Sequence, residues 1–223
     1  MSIICSCPAA SYLTTIPTVT CPENFGQIQK VAFQRLVDGS GNRNSFSGQT
    51  TDTVPVDKIK TKAQWTTYMT ATDSTKIVVS PYINAPADSG GDARMSSGGN
   101  DDLGGVAQVL GGNPVNFTGQ LRSVPQSVIK AMKELSCESN VGNLGVYLFD
   151  EDGRIECLKD AANASTYYPI PILSFFVGSK IHGNFDAKDY NNISWSYVDN
   201  YSNDLTIVTP AAGFNPLTDL TAS

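Results

Sequence analysis

The sequence predicts a mainly β protein, an antiparallel β-sandwich or barrel-like sheet with one packed α-helix, a long Gly-rich loop and an extended N-terminal arm. Three observations carry this. Charged residues make up only 16% of the 223-residue chain while Thr, Ser, Asn and Gly are abundant, the profile of many short strands joined by polar turns rather than of a helical bundle. Val128, Ile129, Met132 and Leu135 fall on one helical stripe, with Gln126, Lys130, Lys133 and Glu134 away from it. Leu144 to Leu158 alternates in strand register around the turn Asp150-Glu151-Asp152-Gly153. A chain of this length ordinarily forms one all-β domain, so residues 1–223 are read as a single domain with an arm (1–25), a loop (88–112) and a tail (210–223).

In the arm, Cys7-Pro8, Ile16-Pro17 and Cys21-Pro22 forbid helix and favour extended backbone, which predicts a segment that leans on something else. Met1 to Cys5 holds neither a basic start nor a long apolar run, predicting a protein made and kept in a cytosol, or released by lysis, with no membrane anchor. Gln27 to Val37 alternates Val31, Phe33, Arg35 and Val37 against Ala32, Gln34 and Leu36, then meets the turn Asp38 to Asn42, predicting the first strand. Lys60 to Thr72 predicts a short helix begun near Thr61, with Ala63, Trp65, Tyr68 and Met69 on one face. Lys76 to Ile83 reads as a strand that Pro81 assigns to an edge or bulge. Residues 88–112 hold four glycine pairs, Asp88, Asp92, Asp101 and Asp102, and Arg94 as the one base, from which no core can be built. A connection this long inside a domain is either disordered or functional.

The helix opens at Ser123-Val124-Pro125, where a proline's missing N–H costs nothing, and breaks between Glu138 and Gly142. Tyr167 to Val177, entered by Pro169 and Pro171, reads as one buried strand. Ile193, Trp195 and Tyr197 mark a half-buried strand that returns after Asn200 to Asp204 as Leu205 to Thr209, a second hairpin. Phe214, Pro216, Leu217 and Leu220 predict a tail pinned to the body.

Catalytic chemistry finds little support. A formal net charge of −6 and a pI near 4.7 oppose a grip on nucleic acid by counterion release. Cys5, Cys7, Cys21, Cys137 and Cys157 are an odd number at irregular spacing, which fits a reduced compartment rather than a disulfide framework. Cys5, Cys7 and Cys21 offer zinc three soft ligands, with a fourth from Cys137, Cys157 or His182, but chance clustering is the favoured reading and neither metal nor cofactor is expected. His182 is the sole histidine and no nucleophile-elbow pattern accompanies it, so the chain is not expected to be an enzyme. The glycine pairs lack a following Gly-Lys-Ser/Thr, and residues 154 to 161 do not continue a calcium loop from Asp150. Trp195 and Tyr197 have the chemistry to stack sugars or bases, although strand aromatics are more often core.

The Gly90 to Gly112 insertion entering Asn113 to Phe117, the helix Pro125 to Leu135, and the closing run from Ile193-Ser194-Trp195 through Phe214 to Leu217 resemble the layout of the tail tube (major tail) proteins of long-tailed bacterial viruses. The resemblance implies a virion structural protein, made in the bacterial host cytoplasm, that self-assembles as a homohexamer. Stacked rings would form a tube whose lumen conducts viral DNA without binding it specifically, the partners being other copies and further tail proteins of the virion. The Cys-rich start departs from that pattern. An acidic lumen would let DNA slide, with walls drawn from the hairpins around Asp150 to Asp152 and Asp199 to Asp204 or from the strand at 27–37, whose Lys30 and Arg35 would have to turn outward or be paired. The alternative is a β-sandwich carbohydrate-binding or adhesin-like module.

Overall fold

The computed structural model describes residues 15–19, 23–47, 57–101, 103–163 and 165–221. The first strands are β1 (Ile28–Arg35), β2 (Phe46–Ser47), β3 (Ile77–Val79), β4 (Asn84–Ser89), β5 (Ala93–Met95), β6 (Val109–Gly112) and β7 (Asn116–Arg122). Then come β8 (Leu144–Asp150), β9 (Ile155–Lys159), β10 (Thr166–Tyr168), β11 (Ile170–Val177), β12 (Tyr190–Tyr197) and β13 (Leu205–Val208). The α-helices are α1 (Lys62–Thr70), α2 (Gln126–Asn140) and α3 (Pro216–Asp219). All pairings named below are antiparallel, as the mainly β reading predicts.

The fold is organised around β1 and β8, which pair from Ile28–Asp150 to Arg35–Leu144. Side chains alternate across a strand, so this pair feeds two cores. Val31 and Phe33 with Leu144, Val146 and Leu148 enter the first, whereas Ala32 with Tyr147 and Phe149 enters the second. One edge of β8 carries β1; the other carries β11 at Leu144 to Val146 and β9 at Leu148 and Phe149. The sheet therefore forks.

One branch runs β11–β12–β7–β4. Its last strand belongs to the segment that began as β3, and β3 pairs β1, so chain continuity through Pro81 to Ile83 closes a barrel-like ring around the first core. Helix α2 lies on β11 and seals it with Ile129 and Met132. Its stripe is the one read from the sequence, but the helix runs on to Asn140 because Ser139 lies on the same face, where its buried Oγ accepts the Phe175 N–H at 2.8 Å. The second branch joins β9, β10, β2 and β13 around an aromatic core. There Trp65 of α1 meets Phe46, Tyr147 and Phe149 at ring-centroid separations of 4.6, 5.3 and 5.5 Å, and its Nε1 donates to Ile59 O at 2.7 Å. Each such pair is worth roughly 0.5–1.5 kcal/mol beyond its area.

Several expectations are corrected. Strand β1 is buried on both faces, and its Gln34 accepts from Tyr147 Oη at 3.0 Å and donates to Thr75 O at 2.8 Å. The expected single strand Tyr167 to Val177 breaks at Pro169, which cannot donate to a ladder, into β10 on β9 and β11 on β8. Strand β13 does not form a hairpin with β12, both of whose edges are taken by β7 and β11; it pairs β9 from Ile155 to Leu158 instead. Ala63 sits on the exposed side of α1. Most of the arm at 1–25, with Cys5, Cys7 and Cys21, lies outside the described residues.

The tail is pinned as expected. Lys30, 4% exposed, donates from Nζ to Leu220 O at 2.7 Å and Leu217 O at 3.0 Å and lies 4.9 Å from the centre of the Tyr82 ring. Leu220 is thereby held in the second core. Among the described residues no helix is long and apolar enough to cross a membrane.

Candidate assembly surfaces

The Gly-rich segment is a long excursion from the barrel, but it is not without structure. Ala93 to Met95 pairs Gly112 to Val109 in a separate two-stranded ribbon, extended by Ser96 N to Gln108 O and Asn113 N to Asp92 O, each 2.8 Å. A ribbon needs main-chain hydrogen bonds and no apolar interior, which is why composition alone missed it. Its root is narrow: Gly90 has φ +101°, and a Cβ there would stand 2.3 Å from Pro114 O. Neither ribbon strand pairs any other strand among the described residues. Met95, Val106, Val109 and Leu110 are exposed along it. Open strand edges beside apolar side chains are the features that recruit a further chain.

A second apolar surface lies on the barrel's outside. In β11 a register shift between Leu173 and Phe176, with Ser174 at φ +53°, turns Leu173 and Phe176 to solvent. The connection from β11 to β12 adds Ile181 and the fully exposed Phe185. The apolar run Tyr167 to Val177 was expected to be buried throughout; the bulge, which no local residue announces, turns Phe175 inward and leaves Phe176 outside.

Residues weighed for chemistry are dispersed. His182 is exposed, with Nδ1 3.5 Å from Asp189 Oδ2, and Asp189 also takes Lys180 Nζ at 3.0 Å. These contacts hold Asp189 below the usual carboxylate range, the Gly183 N–H bond foremost. Cys137 is exposed on α2, whereas Cys157 is buried in the second core, and that burial raises its thiol pKa. No group of three metal-ligating side chains occurs among the described residues. Asp150 to Gly153 is a hairpin turn: the fully buried Asp150 carboxylate accepts from Arg154 N at 2.7 Å, Asp152 N at 3.1 Å and Gly26 N at 3.3 Å, and pairs with Arg154 Nε at 2.7 Å. Trp195 is 1% exposed and stacks on Phe117 at 3.9 Å, and Tyr197 is equally buried, so neither can stack on a sugar.

The strand at 27–37 cannot line a lumen, because it separates two cores. Lys30 is buried under the tail and Arg35 is paired with Glu138.

Two carboxyls stand opposite residues of the first core. Glu156 lies opposite Leu148, and Asp88 opposite Phe117, both partners belonging to the first core; directly opposed residues share a face, so both carboxyls are on the barrel's inner side. Tyr197 and Tyr201 stack beside them at 4.3 Å. Burial, reinforced by Asp88 and Asp150, pushes the Glu156 carboxyl up to about 7, and burial raises Asp88 as well.

No protein-family model matches the chain, and no curated protein matches it in sequence. Among solved structures, a chain from the tail of an empty GTA particle, refined helically in C6 symmetry, is similar over 57% of this chain and 82% of its own, at 12% identity and a TM-score of 0.31. A type six secretion system protein is similar over 77% and 80%, at 11% identity and a TM-score of 0.24.

Proposed function

We propose that this chain is a virion structural protein, a tail tube subunit that self-assembles into stacked hexameric rings forming a conduit for viral DNA. The observation that carries the reading is the ribbon: a two-stranded arm whose outer edges pair no other strand among the described residues, with Met95, Val106, Val109 and Leu110 exposed, projecting from a barrel whose β11 face exposes further apolar side chains. A subunit that works alone gains nothing from holding those groups in water, while one that meets copies of itself buries them. Sheets that join edges around a ring abolish open ladders, and a head-to-tail contact that closes makes a ring. The net charge of −6 per subunit suits a channel that must release phosphates rather than hold them. In this reading the chain is not an enzyme, and its partners are its own copies, other tail proteins and DNA in transit.

The test is the double substitution Val109→Asp with Leu110→Asp on the ribbon, followed by sedimentation. The expected result is a folded monomer at concentrations where the unaltered chain assembles. Unchanged assembly of the folded double variant would count against the ribbon as the contact.

A further inference from the structure

Strands β4 and β7 run side by side, and what stands at their two ends differs. At one end Ser89 pairs Asn116, and there the ribbon leaves the barrel. At the other, Asn84 pairs Gln120 and Arg122 pairs Tyr190, and there a cleft of about 650 Å³ opens, lined by Asn84, Gln120, Arg122, Asp186, Lys188 and Tyr190. The seven residues of β7 set Asn116 and Arg122 roughly 20 Å apart. No residue of the 88–112 excursion lines the cleft.

The cations of this cleft are not spent inside the chain. Arg122 donates to Gln120 Oε1 from Nε at 3.2 Å and Nη2 at 2.9 Å, which holds the guanidinium in place, and among the described residues no carboxylate pairs with it or with Lys188. Asp189, which follows Lys188, is already taken by Lys180 Nζ at 3.0 Å and the Gly183 N–H at 3.0 Å. Two bases to one acid therefore line the cleft, in a chain whose acids outnumber its bases. Its rim is apolar: the fully exposed Phe185 precedes Asp186, and the exposed Ile181 exchanges backbone hydrogen bonds of 2.8 and 3.0 Å with Tyr190. The ribbon has the opposite charge and the same apolar content. Residues 88–112 carry four aspartates against Arg94 alone, and Asp92 is exposed beside the Met95, Val109 and Leu110 side chains.

We infer that the cleft at the Arg122 end is the seat for the ribbon of a second copy, whose carboxylates meet Arg122 and Lys188 while its apolar side chains cover Phe185 and Ile181. The inference rests on the self-assembly reading above and names the surface that the ribbon meets. A guanidinium fork and an ammonium recognise carboxylates, and complementary charge fixes the register of a contact whose apolar part supplies the burial. Because the giving and receiving surfaces stand at opposite ends of β4 and β7, one copy can do both at once, so the contact is head-to-tail rather than two-fold.

Sedimentation of two variants of the full chain tests this. Arg122→Glu with Lys188→Glu reverses two exposed charges of the cleft and leaves the ribbon whole, whereas Val109→Asp with Leu110→Asp disables the ribbon and leaves the cleft whole. The cleft variant should assemble only at concentrations about tenfold or more above those of the unaltered chain. At a concentration where neither variant assembles alone, an equimolar mixture should form pairs and stop there, because one sound ribbon and one sound cleft remain. Should the double reversal fail to fold, Lys188→Glu alone, in the exposed connection before β12, takes its place. Assembly of the cleft variant at the unaltered concentration, or a mixture that stays monomeric or grows beyond pairs, would overturn the cleft as the seat while leaving the ribbon's own role to the ribbon variant. An unaltered chain that never assembles would overturn both.

Discussion

Replacing Lys30 by Met keeps an unbranched side chain of similar length in β1 but removes the ammonium that caps Leu217 O and Leu220 O. Leu217 O retains a bond from Tyr82 Oη at 3.1 Å, whereas no other donor to Leu220 O is found among the described residues. Hydrogen bonds from a charged donor are worth about 1.5–3 kcal/mol each, and an orphaned buried carbonyl costs about 1–3 kcal/mol. Relief from burying the ammonium offsets part of this, as the lowering of the Lys30 pKa by burial indicates. The net expectation is a loss of about 2–3 kcal/mol in urea unfolding, or roughly 4–12 °C in Tm for a chain of this size. Exchange protection of residues 214–221 should fall further than that of β1 and β8, because the tail is released before the cores. A variant as stable as the unaltered chain, with tail protection intact, would show that the tail is held by Phe214 and Leu220 alone and that the ammonium is not the latch.

Two further outcomes are expected. Gly145→Ala should cost about 1–3 kcal/mol, since a Cβ there would stand 2.6 Å from Leu36 Cδ2 and 2.7 Å from Pro169 Cβ, crowding the point where the sheet forks; thermal unfolding measures it. His182→Ala should alter stability by less than about 0.5 kcal/mol, because the imidazole is exposed and lies 3.5 Å from a solvent-reached Asp189 carboxylate, and loss of any measurable catalytic activity in that variant would revive an enzymatic reading.

Local pattern announced the elements whose causes are local. The stripe of α2, the hairpin turn at Asp150 to Gly153 and the alternation of Ile193, Trp195 and Tyr197 were legible because each is fixed within a few residues. The partners of those elements were not. That β13 joins β9 rather than β12 depends on which edges are already occupied, and that Tyr167 to Val177 divides at Pro169 depends on β8 receiving one piece while β9 receives the other. The burial of Lys30 and Gln34 was hidden for the same reason: alternation marks one face of β1 as polar, and only the tail and the turn at residue 75 supply the carbonyls that bury it. Of the assembly surfaces, the ribbon's location was legible as a break in composition, but its pairing was not. Leu173 and Phe176, read as part of a buried strand, are exposed instead, Phe176 because a bulge shifts the register of β11.

Electron microscopy of the purified chain tests the central proposal most directly. A tube subunit should form rings of six copies, or stacks of them around an open channel, with no cluster of unpaired Lys or Arg facing the channel. A population of monomers alone at concentrations well above micromolar, or an assembly without a channel, would contradict it.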